Sequence, residues 1–273
     1  MTELTQRVLA GIVMIAVALG ALWAGGIWFG LLASAAGLLM IGEWAGLLRA
    51  DRWRTRVMLV LLALFLVQTL LIANGAAGQF GPGRVGIVPA TIWPGGGVVT
   101  MAMVLVLLFA LGALLTRRVG LAAGILYAGL PALALIYLRE ERGLLLTLWA
   151  MALVWATDIG AYFAGRGIGG PKLAPRISPN KTWAGLIGGV IAAELLSLVM
   201  AIFFGLSWIA VYFATTLAVA AQIGDLFESW LKRRVGAKDS GRLLPGHGGV
   251  MDRLDGLVPV AVIVAGLVIR GWL

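Results

Sequence analysis

Apolar residues fill most of this chain, and its polar residues fall in short breaks between long apolar runs. Runs of this length cross about 30 Å of hydrocarbon as helices, because each helical residue advances about 1.5 Å. We therefore predict an all-α fold, a polytopic transmembrane helix bundle of about nine spans. The predicted spans are 7–24, 27–48, 57–73, 98–115, 119–138, 143–164, 183–204, 207–230 and 254–272.

The breaks divide the chain into two regions. Residues 1–142 hold the first five spans, and residues 143–273 hold the last four spans with two long polar loops, 165–182 and 231–253. Within the breaks, a Gly/Pro-rich loop is predicted over 74–97, and a glycine at 205 marks a tight turn. We expect the chemistry in the C-terminal region, because both polar loops lie there.

The composition indicates a membrane protein with little room for a separate soluble domain. Of the 273 residues, 61% are hydrophobic and 12% are charged, and the mean hydropathy is +1.01. A soluble domain has about 25% charged residues. The absence of Cys excludes disulfides and thiolate metal sites. No small-residue cleavage site follows the first apolar run, so we interpret that run as a retained span.

The basic residues predict the orientation of the bundle. If the N-terminus is cytoplasmic, 17 of the 21 Lys and Arg residues lie on the cytoplasmic side, as the positive-inside rule requires. We therefore predict a multi-pass protein whose N-terminus and two polar loops are cytoplasmic and whose C-terminus is outside. Anionic lipid then accounts for the net charge of +9, and we expect no nucleic-acid partner.

A row of polar residues lies on one face of the eighth span, at helical spacing: Gln222, Asp225, Glu228, Ser229 and Lys232. Asp252 and Asp255 are three residues apart at the start of the ninth span and are expected to point the same way. Carboxylates converging from two helices suit a hard cation such as Mg²⁺. A second interpretation stays open, in which salt bridges only join the helices, with the partners Arg233, Arg242 and Arg253.

The loop between these two spans has the residues of a polyphosphate site. A turn-rich segment, 244–249, contains the only His of the chain, His247, and is surrounded by basic residues: Lys232, Arg233, Lys238 and Arg242. Glycine lets backbone N–H groups approach an anion closely, and Lys and Arg supply the opposite charge. An ordinary basic loop on a cytoplasmic face is the alternative. By itself, His247 is weak evidence for catalysis.

The other polar loop and the spans add further candidates. Lys172 and Lys181 are placed to reach phosphate, whereas Ser178 and Thr182 are expected to form a turn and a cap that lead into the seventh span. Asp158, late in the sixth span, is a candidate site residue because a carboxylate there is costly unless it is paired. Two other acids inside spans, Glu43 and Glu194, are expected to pair within the bundle.

From residue 229 onward the chain resembles the phosphatidate cytidylyltransferases, also called CDP-diacylglycerol synthases. The resemblance lies in Ser229, Lys232, Arg233, Lys238, Asp239, Gly241, Pro245, His247, Gly248, Gly249, Asp252, Arg253 and Asp255. The upstream segments 155–166 and 178–183 also resemble the family. Two positions differ: Asn180 stands where a Lys is usual, and Ala184 stands where a Glu is usual.

The resemblance implies a reaction in phospholipid biosynthesis, in which CTP and phosphatidic acid give CDP-diacylglycerol and pyrophosphate. It also implies Mg²⁺, with a second metal or a monovalent cation as a further cofactor, a homodimer, and a place in the inner (plasma) membrane. The expected catalytic residues are Asp225, Lys232, Arg233, Lys238, Asp239, His247, Asp252, Arg253 and Asp255. The expected metal ligands are Asp225, Asp252 and Asp255. The expected substrate-binding residues are Asp158, Lys172, Ser178, Lys181, Thr182, Ser229, Gly248 and Gly249.

Two other classes of protein share some of these features. A CTP-dependent lipid kinase, or a cytidylyltransferase for another lipid phosphate, would need the same kind of polar cluster. A membrane transporter also buries acids, but it more often has an inverted repeat and sites at the bilayer midplane. The charges here lie at one face of the membrane, which favours an enzyme.

Overall fold

The structure is a computed structural model that describes residues 3–78, 97–241 and 248–273. The described residues are almost entirely helical, as the apolar runs predict. Along the chain lie helices α1 (Glu3–Ala24), α2 (Gly26–Leu47), α3 (Arg52–Gly78), α4 (Gly97–Thr116) and α5 (Val119–Gly167), strands β1 (Lys172–Ala174) and β2 (Ser178–Thr182), and helices α6 (Trp183–Phe204), α7 (Trp208–Arg234), α8 (Met251–Leu254) and α9 (Leu257–Ile269).

In the part of the chain that the structure describes, six helices are long and apolar enough to cross a membrane. They are Gly26–Leu47, Arg52–Ala73, Gly97–Thr116, Val119–Gly167, Trp183–Phe204 and Trp208–Arg234. Two further apolar helices, Gly11–Ala24 and Leu257–Ile269, are shorter. The helical membrane class is therefore confirmed, whereas the number of nine spans stays a prediction.

Helix α5 covers both the fifth and the sixth predicted spans. Its 49 residues are not one continuous helix, because Gly143 has φ 77° and ψ −161°, far from helical values. A positive φ of this size suits glycine, which has no Cβ atom to clash with the backbone. The predicted break near residue 142 is thus present, as one non-helical residue.

Two predicted loop boundaries are wrong, because the helices extend further. Helix α3 continues to Gly78, into the loop predicted over 74–97, and the rest of that loop (79–96) lies outside the described residues. Helix α7 continues to Arg234, so Lys232 and Arg233 lie on a helix. Three basic residues in the last turn of α7 account for this extension, because cations interact favourably with the carboxyl end of a helix.

The predicted turn at Ser178 is also wrong, since Ser178–Thr182 is strand β2. It pairs antiparallel with β1, and the partners include Lys172 with Thr182 and Ala174 with Ser178. The turn lies earlier, where the Ile177 amide donates to the Ala174 carbonyl at 3.1 Å. Pro175 occupies the second position of this turn, which its fixed φ favours.

Contacts divide the chain into two units. The first unit is Met1–Leu144 with Ser240–Met251, and the second is Leu145–Asp239 with Asp252–Leu273. In the first unit, the Trp44 indole on α2 donates to the Gly120 carbonyl on α5 at 3.0 Å. In the second unit, the Trp149 indole on α5 donates to Ser197 Oγ on α6 at 2.8 Å.

Small residues let the helices of the second unit approach closely. A Cβ atom at Gly188 of α6 would stand 3.0 Å from the carbonyl oxygen of Gly160 on α5. Interfaces of this kind between apolar helices depend on small residues, because lipid provides no hydrophobic drive for association. The close packing of α5 and α6 places the hairpin of β1 and β2, which connects them, at one end of the helices.

Candidate active site

The polar face predicted for α7 is present and contacts the hairpin. Lys181 of β2 donates to Asp225 Oδ2 at 2.6 Å and to Gln222 Oε1 at 2.8 Å, both on α7. Ser229, one turn further along, has its hydroxyl 3.4 Å from Asp225 Oδ1. Lys181 therefore attaches the hairpin to α7, where the Asp225 carboxylate and the Gln222 amide oxygen both accept from its amine.

A second lysine and two acids form a more buried cluster one turn beyond. Lys232 Nζ lies 2.6 Å from Asp252 Oδ1 and 3.6 Å from Glu228 Oε2. The side chains of Lys232, Asp252 and Glu228 are 14%, 10% and 2% exposed, respectively. Charges removed from water to this extent are costly unless they are paired, so Lys232 joins α7 to α8 through an ion pair.

Two glycines bring the backbone of the residues around Asp255 close to the neighbouring helices. A Cβ atom at Gly224 of α7 would overlap the carbonyl oxygen of Asp255 and would stand 3.0 Å from the Pro259 ring. A Cβ atom at Gly256 would stand 3.0 Å from Val154 of α5. Larger residues at these positions would move the acids away from α7.

Several acids of the second unit lie close together in the part of the chain that the structure describes. Glu228 lies against both Asp252 and Asp255, and its Oε1 atom is buried without a hydrogen-bond donor. Asp255 lies between α8 and α9 and accepts a hydrogen bond from the Gly256 amide at 2.8 Å. Among the described residues, the carboxyl groups of Asp225, Glu228, Asp252 and Asp255 thus lie around the amines of Lys181 and Lys232.

Lysines pair with the acids in the described part of the cluster, and the interpretation in which arginines join the helices stays open, because Arg242 lies outside the described residues. The salt bridges that the structure shows at Asp225, Glu228 and Asp252 are to lysines, Lys181 and Lys232. Arg233 instead directs Nε toward the Ile177 carbonyl of the hairpin, at 3.5 Å. The cluster consequently combines flexible primary amines with carboxylates, a set that can exchange partners when a phosphate arrives.

Other predicted site residues lie around this cluster. Asp158 is exposed on α5, within electrostatic range of Asp225, Asp255, Lys181 and Arg253. Thr182 is the N-cap of α6, as predicted, since its hydroxyl accepts from the Gly185 amide at 3.0 Å.

The remaining predicted residues are more dispersed. Lys172 is exposed on β1, and Lys238 and Asp239 are exposed after α7. Arg253 is exposed on α8. Arg242 and His247 lie outside the described residues, so their predicted roles stay predictions.

Sequence reasoning missed the partners of Glu43. This acid on α2 accepts hydrogen bonds from Ser240 Oγ at 2.9 Å and from the Val250 and Met251 amides at 2.8 Å each. The predicted pairing within the bundle is therefore wrong, because its donors lie on the segment that precedes Asp252. An acid near the end of an apolar span was the available signal, but nothing in the sequence identified donors 197 and 207 residues away.

The carboxylates of this cluster are chemically suited to bind a divalent cation. Among residues 3–78, 97–241 and 248–273, no three His, Cys, Asp or Glu side chains are already arranged to hold a metal ion. However, carboxylate oxygens are the protein ligands that Mg²⁺ prefers, and the buried Glu228 Oε1 has no hydrogen-bond donor. Glu228 was not among the predicted ligands, although it lies on the predicted polar face.

Known proteins resemble this chain along nearly its whole length. Residues 5–269 match the sequence model of the Cytidylyltransferase family. The chain is 42% identical over 272 residues to the "Phosphatidate cytidylyltransferase" of Brucella suis biovar 1 (strain 1330), a match that covers 97% of this chain and 93% of the relative. The protein of the same name from Staphylococcus saprophyticus is 44% identical over 149 residues, which are 54% of this chain and 57% of that relative.

Proposed function

Since this chain belongs to the cytidylyltransferase family, we propose that it is an integral membrane phosphatidate cytidylyltransferase that makes CDP-diacylglycerol. A phosphate oxygen of phosphatidic acid forms a bond to the α-phosphorus of CTP. The bond from that phosphorus to the bridging oxygen of the β-phosphate breaks, and pyrophosphate leaves. The observation that carries this proposal is the pair of lysines held among carboxylates on α7, at 2.6 Å from Asp225 and Asp252.

The proposed reaction needs charge neutralisation more than proton transfer. A phosphomonoester has a second pKa of about 6, so the attacking lipid phosphate is already largely a dianion near neutral pH. The barrier comes from bringing two anions together and from the charge on the departing pyrophosphate. Lys181 and Lys232 supply positive charge at fixed positions, and Lys172, Arg233 and Lys238 are exposed.

Mg²⁺ is part of the proposal. When bound, the ion supplies neutralisation of charge on the phosphates. The residues that would hold it are Asp225, Asp252 and Asp255, as the sequence predicts, and Glu228, whose buried oxygen has no donor. Lys181 and Lys232 keep these acids in place before substrate binds, and their amines are then available to the substrate phosphates.

The proposed activity is tested by giving purified protein phosphatidic acid vesicles and CTP labelled in either the α- or the γ-phosphate. We expect label from the α-phosphate to enter the lipid and label from the γ-phosphate to leave as pyrophosphate. Transfer of the γ-label to lipid would instead identify a CTP-dependent lipid kinase. Absence of both transfers, in protein that is folded and binds vesicles, would exclude either enzyme.

We propose the predicted topology as well: nine spans in the inner membrane, with the N-terminus and the lysine–carboxylate cluster on the cytoplasmic side. The support is the asymmetry of the basic residues, 17 of 21 on one side, together with the six helices of spanning length. The substrate lipid would then enter laterally between helices, with its phosphate at the cytoplasmic interface. We also propose that the protein is a homodimer, because the family resemblance implies one.

Single cysteines test this topology cleanly, because the chain has none. We expect Asp239→Cys, at an exposed position after α7, to resist a membrane-impermeant thiol reagent in intact cells and to react after the cells are opened. Arg270→Cys, exposed near the C-terminus, should react in intact cells. Reaction of Asp239→Cys from outside would reverse the proposed orientation.

A further inference from the structure

Glu43 of α2 binds both ends of one segment of the first unit. At the first end, Ser240 Oγ donates to Glu43 Oε2 at 2.9 Å. At the other end, the Val250 amide donates to Oε1 and the Met251 amide to Oε2, each at 2.8 Å. Both carboxylate oxygens are thus used, and the two ends of the segment meet at one side chain.

The glycines of this segment make room for the carboxylate. A Cβ atom at Gly241 would stand 2.8 Å from Glu43 Oε1. A Cβ atom at Gly249 would overlap both Glu43 Oε2 and Ser240 Oγ. Packing against Glu43 therefore explains a glycine at 249, independently of any close approach to phosphate. Gly248 is required for a different reason, since its φ of 81° lies in the region that favours glycine.

The cost of placing an acid in an apolar helix indicates that Glu43 has a functional role. Glu43 lies near the end of Gly26–Leu47, a helix long and apolar enough to cross a membrane. An acid in such a helix is costly unless it is paired, and such acids usually have a function. Hydrogen bonds to a charged acceptor are stronger than neutral ones. They offset the entropy lost when residues distant along the chain are fixed at one place.

We propose that Glu43 is a positioning residue that holds the ends of the segment from Ser240 to Met251. The described part of this segment includes Gly248 and Gly249, which are predicted to bind substrate, and the segment leads along the chain into Asp252. By fixing the Val250 and Met251 amides, Glu43 sets the backbone immediately before that acid. The inference rests on the proposed function for its catalytic consequence, but not for the structural role of Glu43.

The first test is Glu43→Gln, which keeps the size of the side chain and removes its charge. An amide has one acceptor oxygen and cannot receive donors on both sides. We expect hydrogen exchange at the Val250 and Met251 amides to become about tenfold faster or more, in line with the loss of charge-assisted hydrogen bonds. We also expect the KM for CTP to rise by about tenfold or more, whereas the KM for phosphatidic acid changes less.

Glu194→Gln is the matched control. Glu194 also lies in a helix of spanning length, on α6, and accepts from a backbone amide, that of Thr215 at 3.0 Å, and from the Thr215 hydroxyl. We expect this variant to leave exchange at Val250 and Met251 and the KM for CTP near wild-type values. An equal effect of both variants would show a general cost of losing an intramembrane acid, and would overturn the proposal.

A double-mutant cycle distinguishes positioning from direct substrate binding by Gly249. If Gly249→Ala acts by displacing Glu43, it should add little to the loss already caused by Glu43→Gln. Fully multiplicative losses would mean that Gly249 acts independently of Glu43, against the proposal. If Glu43→Gln does not fold, Ser240→Ala removes the hydrogen bond from Ser240 Oγ to Glu43, and a smaller but measurable rise in amide exchange is expected.

These readouts separate two kinds of failure. Hydrogen exchange at Val250 and Met251 reports on the role of Glu43 whether or not the wild-type protein transfers cytidylyl groups. Unchanged exchange and unchanged KM in Glu43→Gln would overturn the positioning role while leaving the proposed function intact. Lack of α-phosphate transfer in wild-type protein would remove the proposed function, and faster exchange would still support the structural role.

Discussion

Asp252→Asn is expected to lower turnover per folded molecule by about 10²-fold or more, because stabilisation of transition-state charge by a bound metal ion is worth several kcal/mol. The change keeps the shape of the side chain and removes one charge of the acidic cluster. Asp225→Asn and Asp255→Asn are expected to behave similarly. For at least one of the three, raised Mg²⁺ or Mn²⁺ should restore part of the activity. The measurement is turnover per folded molecule against metal concentration.

The control is Asp51→Asn, which removes an acid of the first unit that is 58% exposed and pairs with Arg54 at 2.6 Å. An exposed ion pair of this kind contributes about 0–1 kcal/mol, so turnover and stability should stay near wild-type. If the acids of the cluster only join helices, the variants would lose thermal stability and keep normal turnover. Near-wild-type turnover of both Asp225→Asn and Asp252→Asn would end the proposal of a metal site.

The helices could be predicted from sequence because their main determinant is local. A long apolar run has to satisfy its own backbone hydrogen bonds in a membrane, and a helix does this without partners from elsewhere in the chain. The same reasoning gave the polar face of α7, since spacing alone puts Asp225 and Lys232 on one side. The apolar pattern did not predict where the helices end; for example, α7 extends to Arg234.

The partners of the charged residues could not be predicted in the same way. Lys181 and Asp225 are far apart in sequence, and several arginines nearby were equally plausible partners for the acid. The choice depends on the hairpin, whose turn at Pro175 places β2 beside α7. Glu43 shows the same problem, because two of its donors are backbone amides 207 and 208 residues away, which sequence does not distinguish from other amides.

Lys181→Met is the second variant with a large expected effect, about 10²-fold or more in turnover, because a positive charge aimed at transferring phosphates contributes several kcal/mol. It also leaves Asp225 without the lysine at 2.6 Å. The two side chains are 16% and 32% exposed, so the ion pair is partly shielded from water. We therefore expect lower thermal stability as well, by about 1–3 kcal/mol, between the values for exposed and buried pairs.

The double variant Lys181→Met with Asp225→Asn separates the two roles of the lysine. Removing both charges leaves no unpaired ion, so thermal stability should recover much of what Lys181→Met alone loses. Turnover should stay at about 1% of wild-type or less, because both charges act on the reaction. Lys181→Arg keeps the charge with a different shape and should retain more turnover than Lys181→Met. Recovery of turnover together with stability in the double variant would show that the lysine only attaches the hairpin to α7.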